Sequence, residues 1–401
     1  MKFLIAVLCV PGLLAQTWEK PLAERRWDQA EPLLKQALEQ SETAPALRGL
    51  ATVYRATGRL AEADPLLEKL LALDETVADT EELASIKAAL GELSQAETLY
   101  RRTLDLRLRS GEGEGPSIGT HQRLAQVLVS LTKFREAEHE AETAIAIRAR
   151  SFAADHPDSA ADFAMLANIY QTEKKFTEAA TAWDWVVRVQ EATFGIDDLK
   201  LAASLESLAA CRRELNQWRL AEAALRRALA IREINEGAIH ADVAQAIDTL
   251  ARLYFGTKRF EEAEPLFRRS LELWKRLLGA KNSVLAMSYD NLAVTEAALK
   301  KYDEAEKLYL AAMKLRDDDD VANLRNLALV RVAQKNYKDA EPLFRRALTA
   351  LDASYNQGSA RLAELLPDYA AVLRQLGRLA EAAKLEARLK ALKQPTLRAQ
   401  R

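Results

Sequence analysis

Four histidines, His121, His139, His156 and His240, and two cysteines, Cys9 and Cys211, are the side chains from which a nucleophile, a general base or a transition-metal ligand would be drawn first. No two of them have the spacing of ligands that share one helix face, so the spacing predicts no metal site. His156 and His240 are 84 residues apart and take the same place in a recurring pattern, with Asp198 and Asn282 at the corresponding places of other copies. That makes them punctuation rather than catalysts. Serine, histidine and aspartate are all present, but no Gly-x-Ser-x-Gly elbow frames a nucleophile. Cys211 has apolar neighbours, where an inert buried thiol is expected. The alternating Gly111–Pro116 segment superficially suggests a phosphate loop, yet its two glutamates would repel a phosphate, and a loop between repeats is the better expectation. Asp317–Asp320 lacks the alternation and the terminal glutamate of a calcium loop, so helix capping is expected there. The residues therefore predict no catalytic group, no cofactor and no metal.

Two further sets of side chains point to binding instead. Of the six tryptophans, Trp183 and Trp218 fall at core positions of the recurring pattern and are expected to pack. Trp18, Trp185 and Trp274 are less constrained and keep a carbohydrate- or small-molecule-binding reading open. Fifty-seven lysines and arginines nearly cancel 59 aspartates and glutamates, which leaves a formal charge of −2 and no field to attract nucleic acid. A chain that is 49% hydrophobic and 29% charged is too apolar for disorder and too charged for a polytopic membrane protein. A folded, soluble body is expected, with partners recognised locally.

The elements that must position these residues recur. Segments such as LAEADPLLEKLL from Leu60, FEEAEPLFRRSL from Phe260, YDEAEKLYLAAM from Tyr302 and YKDAEPLFRRAL from Tyr337 share one phase. Their alanines are Ala30, Ala63, Ala96, Ala137, Ala179, Ala221, Ala263, Ala305, Ala340 and Ala382, at intervals of 33, 33, 41, 42, 42, 42, 42, 35 and 42. Thirteen and twelve residues before most of them comes a leucine followed by alanine, from Leu50 to Leu327, with Tyr369 and Ala370 in the last copy. A large apolar residue next to a small one lets two helices approach closely, and neither helix can bury its stripe alone, so neighbouring pairs must stack. Gly58, Gly91, Asn216 and Gly377 share the turn phase between the two helices, and Gly195, Gly237 and Gly279 end three second helices. Pro32, Pro65, Pro265 and Pro342 share a phase near the start of the second helix, where a missing N–H is expected to do least harm.

Leucine, a small residue, tyrosine at Tyr54, Tyr170 and Tyr254, a turn, an aromatic and further small residues resemble the tetratricopeptide repeat across nearly all of residues 22–393. The 42-residue period, the segment from Ala228 through Glu233, and His156-Pro157-Asp158 are similar to repeats of the kinesin-light-chain type, which bacterial proteins also carry. The resemblance implies an all-α, right-handed solenoid of about nine helix pairs, preceded by one unpaired helix from about Leu22 to Gln40. It also implies a non-catalytic scaffold for protein–protein interaction, whose concave groove is lined by the first helices and binds a partner segment. Counting the phase onto that groove places Gln126, Asn168, Arg213, Arg252, Asn291, Arg325 and Asn326 there. Asn291 and Asn326 match the asparagine phase that holds ligand backbone in the family.

At the amino terminus, Met1 and Lys2 precede an apolar run from Phe3 to Ala15 that is too short to cross a bilayer. A signal peptide over residues 1–15 is expected, followed by one solenoid over 17–393 and a basic tail over 394–401. Export to the periplasm or medium follows, with a cytoplasmic protein as the alternative and no integral membrane span in the mature chain. Self-association is a further alternative, because the mature chain would open on half a repeat with an apolar helix face to cover.

Overall fold

The structure, a computed structural model, describes residues 18–111, 113–151, 156–316, 320–353 and 358–393. The expected signal peptide and basic tail therefore lie outside the described residues, as do Asp317–Asp319. Helices account for all the regular structure, and no strand occurs among the described residues. The chain divides into two compact units, the first ending at Ile196 and the second beginning at Asp197.

The first unit contains α1 (Glu19–Ala23) with α2 (Trp27–Gln40), α3 (Ala44–Ala56) with α4 (Leu60–Leu73), α5 (Val77–Ala89) with α6 (Leu93–Ser110), α7 (Ile118–Ser130) with α8 (Phe134–Ser151), and α9 (Ser159–Thr172) with α10 (Phe176–Phe194). The second contains α11 (Lys200–Glu214) with α12 (Trp218–Glu236), α13 (Ala241–Gly256) with α14 (Phe260–Leu278), α15 (Leu285–Ala298) with α16 (Tyr302–Met313), α17 (Val321–Ala333) with α18 (Tyr337–Ala353), and α19 (Gly358–Gln375) with α20 (Leu379–Lys393). From α3 to α20 this makes the nine expected pairs, an all-α repeat solenoid. All ten phase alanines are at most 1% exposed, and the leucines from Leu50 to Leu327 are buried beside them. Within each unit a second helix packs on the first helix of the next pair, so the apolar stripe runs on without interruption.

Three details differ from expectation. The helix expected from Leu22 is broken at Arg25, whose φ of 56° is left-handed, so a short α1 precedes α2. Arg25 is the first of ten turns at one phase; the others are Gly58, Gly91, Thr132, Lys174, Asn216, Lys258, Lys300, Lys335 and Gly377. Six of the ten are neither glycine nor asparagine. Paired backbone bonds, such as Gly58 N–H to Arg55 O and Arg59 N–H to Tyr54 O, impose this conformation whatever the side chain. Second, Trp18 is buried and packs with Leu22 on Leu34 and Gly49, where a Cβ would stand 2.8 Å from Leu34 Cδ2. That packing covers part of the apolar face at the start of the solenoid. Third, each phase proline is the sixth residue of its helix, beyond the first turn, and therefore does forfeit one backbone bond.

Loops behave as punctuation. Gly195, Gly237 and Gly279 close α10, α12 and α14 with positive φ. Asp320 caps α17 by accepting from the N–H groups of Ala322 and Asn323, as expected for that end of the acidic run.

Candidate functional site

The first helices of successive pairs also touch one another, α5 with α7 and α7 with α9 in the first unit, α15 with α17 and α17 with α19 in the second. Their outward residues therefore form a shared face in each unit. In the first unit this face opens between α7 and α9 into a cavity of about 390 Å³, lined by Gln126, Val129, Ala161, Ala164, Met165, Asn168, Ile169 and Thr172. Gln126 and Asn168 are exposed, so two uncharged amides border an apolar floor. Charges on this face neutralise each other: Arg48 is bonded to Asp79, Arg55 to Glu82 and Arg123 to Glu81.

In the second unit Asn326 borders two cavities. One, of about 340 Å³, is apolar and includes Val294, Ala297, Leu329 and Ala333; the other, of about 270 Å³, includes Arg325, Arg361 and Glu364. Arg325 is held by Asp368 at 2.8 Å and Glu364 at 3.4 Å. Asn291 is half-buried, and its carbonyl accepts from the Thr295 hydroxyl. Arg213 and Arg252 are exposed; the first pairs with the adjacent Glu214, and the second donates to Thr249 Oγ1. Gln126 and Asn168 are thus brought together on one cavity, as are Arg325 and Asn326 on another.

Beneath the face runs a polar ladder with the period of the repeat. An acid on the first helix meets a basic residue 26 positions later, on or just after the second: Glu81 with Arg107, Glu206 with Arg232, and Asp290 with Arg316 beyond the end of α16. At Asp248 the partner is Trp274, whose Nε1–H donates at 3.0 Å. Burial raises the carboxyl of Asp248, with Ser270 and then Trp274 opposing, and pushes that of Asp290 up to about 6, with Arg316 opposing. Within each unit a second ladder ties successive pairs at five places. Glu31 accepts from Arg59, Glu97 from Lys133, Glu138 from Lys175, Glu222 from Arg259 and Glu341 from Arg378. Arg59 and Arg259 also lie 4.4 Å over the rings of Tyr54 and Tyr254. The Arg59 bond brings Glu31 down to about 2. Where lysine replaces tyrosine, at Lys87, burial opposes the charge but Asp64, Glu68 and Glu92 outweigh it and raise the amine.

The remaining candidates resolve plainly. Cys211 is fully buried, and burial pushes its thiol up to about 11, far from a reactive thiolate. Trp183 is buried and donates to Gln171, as expected of a packing residue. Trp218, expected in the core, is 39% exposed, as the first residue of α12 at the turn. Trp185 lies against Phe163, with ring centroids 3.9 Å apart and planes tilted by 31°, and borders an aromatic cavity of about 440 Å³ on α9 and α10. No helix of the described residues is long and apolar enough to cross a membrane.

Helix pairs at a near-constant period, with a small residue at every crossing, define an all-α repeat solenoid that presents a first-helix face. Profiles of the tetratricopeptide repeat match residues 22–90, 122–158, 162–234, 242–318 and 291–356, and the chain belongs to that family. No curated protein matches it in sequence. Among solved structures it is similar to the apo form of RapI, at 15% identity and a TM-score of 0.53, covering 84% of this chain and 97% of that one. It is also similar to the C-terminal part of a repeat-containing protein from Cytophaga hutchinsonii, at 15% identity and 0.51, covering 64% and 93%. BtubC from P. vanneervenii matches at 21% identity and 0.46, over 56% and 94%. At these identities the likeness is one of fold.

Proposed function

We propose that the chain is a non-catalytic interaction scaffold, exported through residues 1–15, that docks an extended segment of a partner protein on the first-helix face. The observation that carries this reading is the cavity between α7 and α9, an apolar floor bordered by the exposed amides of Gln126 and Asn168. An amide donates and accepts at once, which suits a peptide backbone, while the floor suits one apolar side chain. The surrounding charges are already paired within the chain, which favours a segment that is uncharged at this point. Asn326, between its two cavities in the second unit, offers the same combination there.

Crosslinking in the native host, with identification of the attached chain, supplies the partner. Protein recovered in the same experiment begins at or near Gln16 if the chain is exported. Replacing Gln126 and Asn168 together by alanine leaves the fold intact, since exposed substitutions cost within about 0.5 kcal/mol. It weakens the partner several-fold, at about 1 kcal/mol for each lost backbone bond. Unchanged affinity in the double variant, with the partner in hand, would remove the site from this face.

A further inference from the structure

Glu236 ends α12, Gly237 turns the chain, and His240 caps α13 by accepting the Asp242 N–H at Nδ1, 3.3 Å away. The turn brings three lone-pair atoms together. Glu236 Oε2 lies 3.3 Å from His240 Nδ1, and Asp242 Oδ2 lies 3.9 Å from the same nitrogen. Glu236 is only 10% exposed, yet its Oε2 accepts no hydrogen bond. Its other oxygen does, from Arg232 at 3.3 Å. Arg232 is also 3.4 Å from Asp242 Oδ2 and is bonded to Glu206, so one guanidinium faces three carboxylates around the imidazole. His240 and Asp242 are open to solvent, at 46% and 55% exposure.

Capping does not require this arrangement. Forty-two residues to either side, Asp198 and Asn282 accept the N–H two residues on, of Lys200 and Val284, through carboxylate and amide oxygens at 2.9 Å, a shorter bond than the imidazole makes. The residues at the Glu236 position in those copies are Phe194 and Leu278. The histidine and the buried glutamate depart from the repeat together, and the unpartnered Glu236 Oε2 faces His240 Nδ1, whose one lone pair is held only by the 3.3 Å bond from the Asp242 N–H. A cation between them would satisfy Oε2 and take that lone pair in place of the N–H. Zinc binds imidazole nitrogen and carboxylate oxygen at about 2.0–2.2 Å, so ligands at two corners of a tetrahedron stand roughly 3.3–3.6 Å apart. The observed 3.3 Å matches and 3.9 Å requires only a small rotation of the exposed Asp242 carboxylate. We infer that Glu236, His240 and Asp242 form a site for a zinc-type divalent ion, water completing the coordination, which clips the loop between α12 and α13.

The test is a titration of the full chain with zinc against a chromophoric chelator, beside the variants His240→Asn and Glu236→Gln. Asparagine at 240 can still accept the N–H two residues on, as Asn282 does from Val284 in the next copy, and removes the imidazole. Wild type should take up one equivalent that each variant binds roughly tenfold more weakly or worse. Zinc should raise the unfolding midpoint of wild type and not that of His240→Asn, while the metal-free midpoints agree. Equal uptake by wild type and His240→Asn, or none by wild type, overturns the site. A difference between the two proteins that follows pH and ignores zinc assigns a proton to the gap between His240 and Glu236, and overturns it as well.

Discussion

Removing the Glu222 carboxylate should detach one repeat from the next without disturbing either. Glu222 is 12% exposed and accepts from Arg259 at 2.5 Å, from Arg226 at 2.8 Å and from the buried Tyr254 hydroxyl at 3.0 Å. Arg259 and Arg226 are 38% and 59% exposed, so each contributes less than about 1 kcal/mol after solvent screening. The Tyr254 hydroxyl is different, because truncation leaves a buried donor unpaired at about 1–3 kcal/mol. Glu222→Ala should therefore cost roughly 2–4 kcal/mol in urea unfolding, and Glu222→Gln, which still accepts from Tyr254, about 1.

A cycle with Tyr254→Phe should show coupling of about 1 kcal/mol, and amide exchange should rise first along α13, which the glutamate anchors. Acidity supplies an independent check. Arg259 holds the Glu222 carboxyl below its ordinary 4.5. The stability it contributes is therefore present above that value and lost as pH falls through the lowered one, so the gap between wild type and Glu222→Gln should close in acid. A Glu222→Ala protein within 0.5 kcal/mol of wild type, or strict additivity with Tyr254→Phe, would refute the ladder as a structural tie.

Asp290 should behave in the opposite sense. Its carboxyl is raised from 3.8 to about 6, so its contribution is present below about pH 4 and is lost as pH rises through 6, by about 2–3 kcal/mol. Asp290→Asn should gain on wild type across that window in pH-dependent denaturation, and a difference independent of pH would count against the burial argument. At the turns, Thr132 holds a left-handed φ of 60° where Gly91 and Gly377 serve other copies. Thr132→Gly should stabilise by about 0.5–1 kcal/mol, the relief of left-handed strain exceeding the added freedom of the unfolded chain, and Gly91→Thr should destabilise. Thermal unfolding of both variants checks the pair, and equal signs would refute it.

The repeat was legible because its signal is packing, which constrains residue size at fixed intervals: every phase alanine is buried and every expected pair forms. Two kinds of feature were not. Turn positions such as Lys174 and Lys258 carry no glycine, since paired backbone bonds set their conformation and leave no mark on side-chain type. Charged residues are ambiguous for another reason. Arg325 shares a phase with the acids Asp248 and Asp290, but the residue 26 positions on is Leu351 rather than a basic partner, so its guanidinium turns to Asp368 on α19. Glu236, four residues before His240, leaves no signal of its own either, because it is a helix end and shares no helix face with the histidine.

These failures share a cause that bears on function. A solenoid needs its small residues at each crossing, and here many junctions add a carboxylate–base tie at a recurring phase. Whatever the repeat requires, it repeats. Positions that break the period are therefore free of the structural demand, and three such places face solvent or a cavity: the amide-bordered cavity on α7 and α9, Trp185 against Phe163 where Arg269 of another copy instead bonds Glu233, and the Glu236–His240 turn. Trp185→Arg separates structural from functional demand most directly. Arginine is what the repeat places at this phase in α12 and α14, as Arg227 and Arg269, so the substitution should leave unfolding within about 0.5 kcal/mol of wild type. Should it instead cost the 3 kcal/mol or so of a lost core aromatic, the tryptophan is packing and the cavity beside it is only its edge.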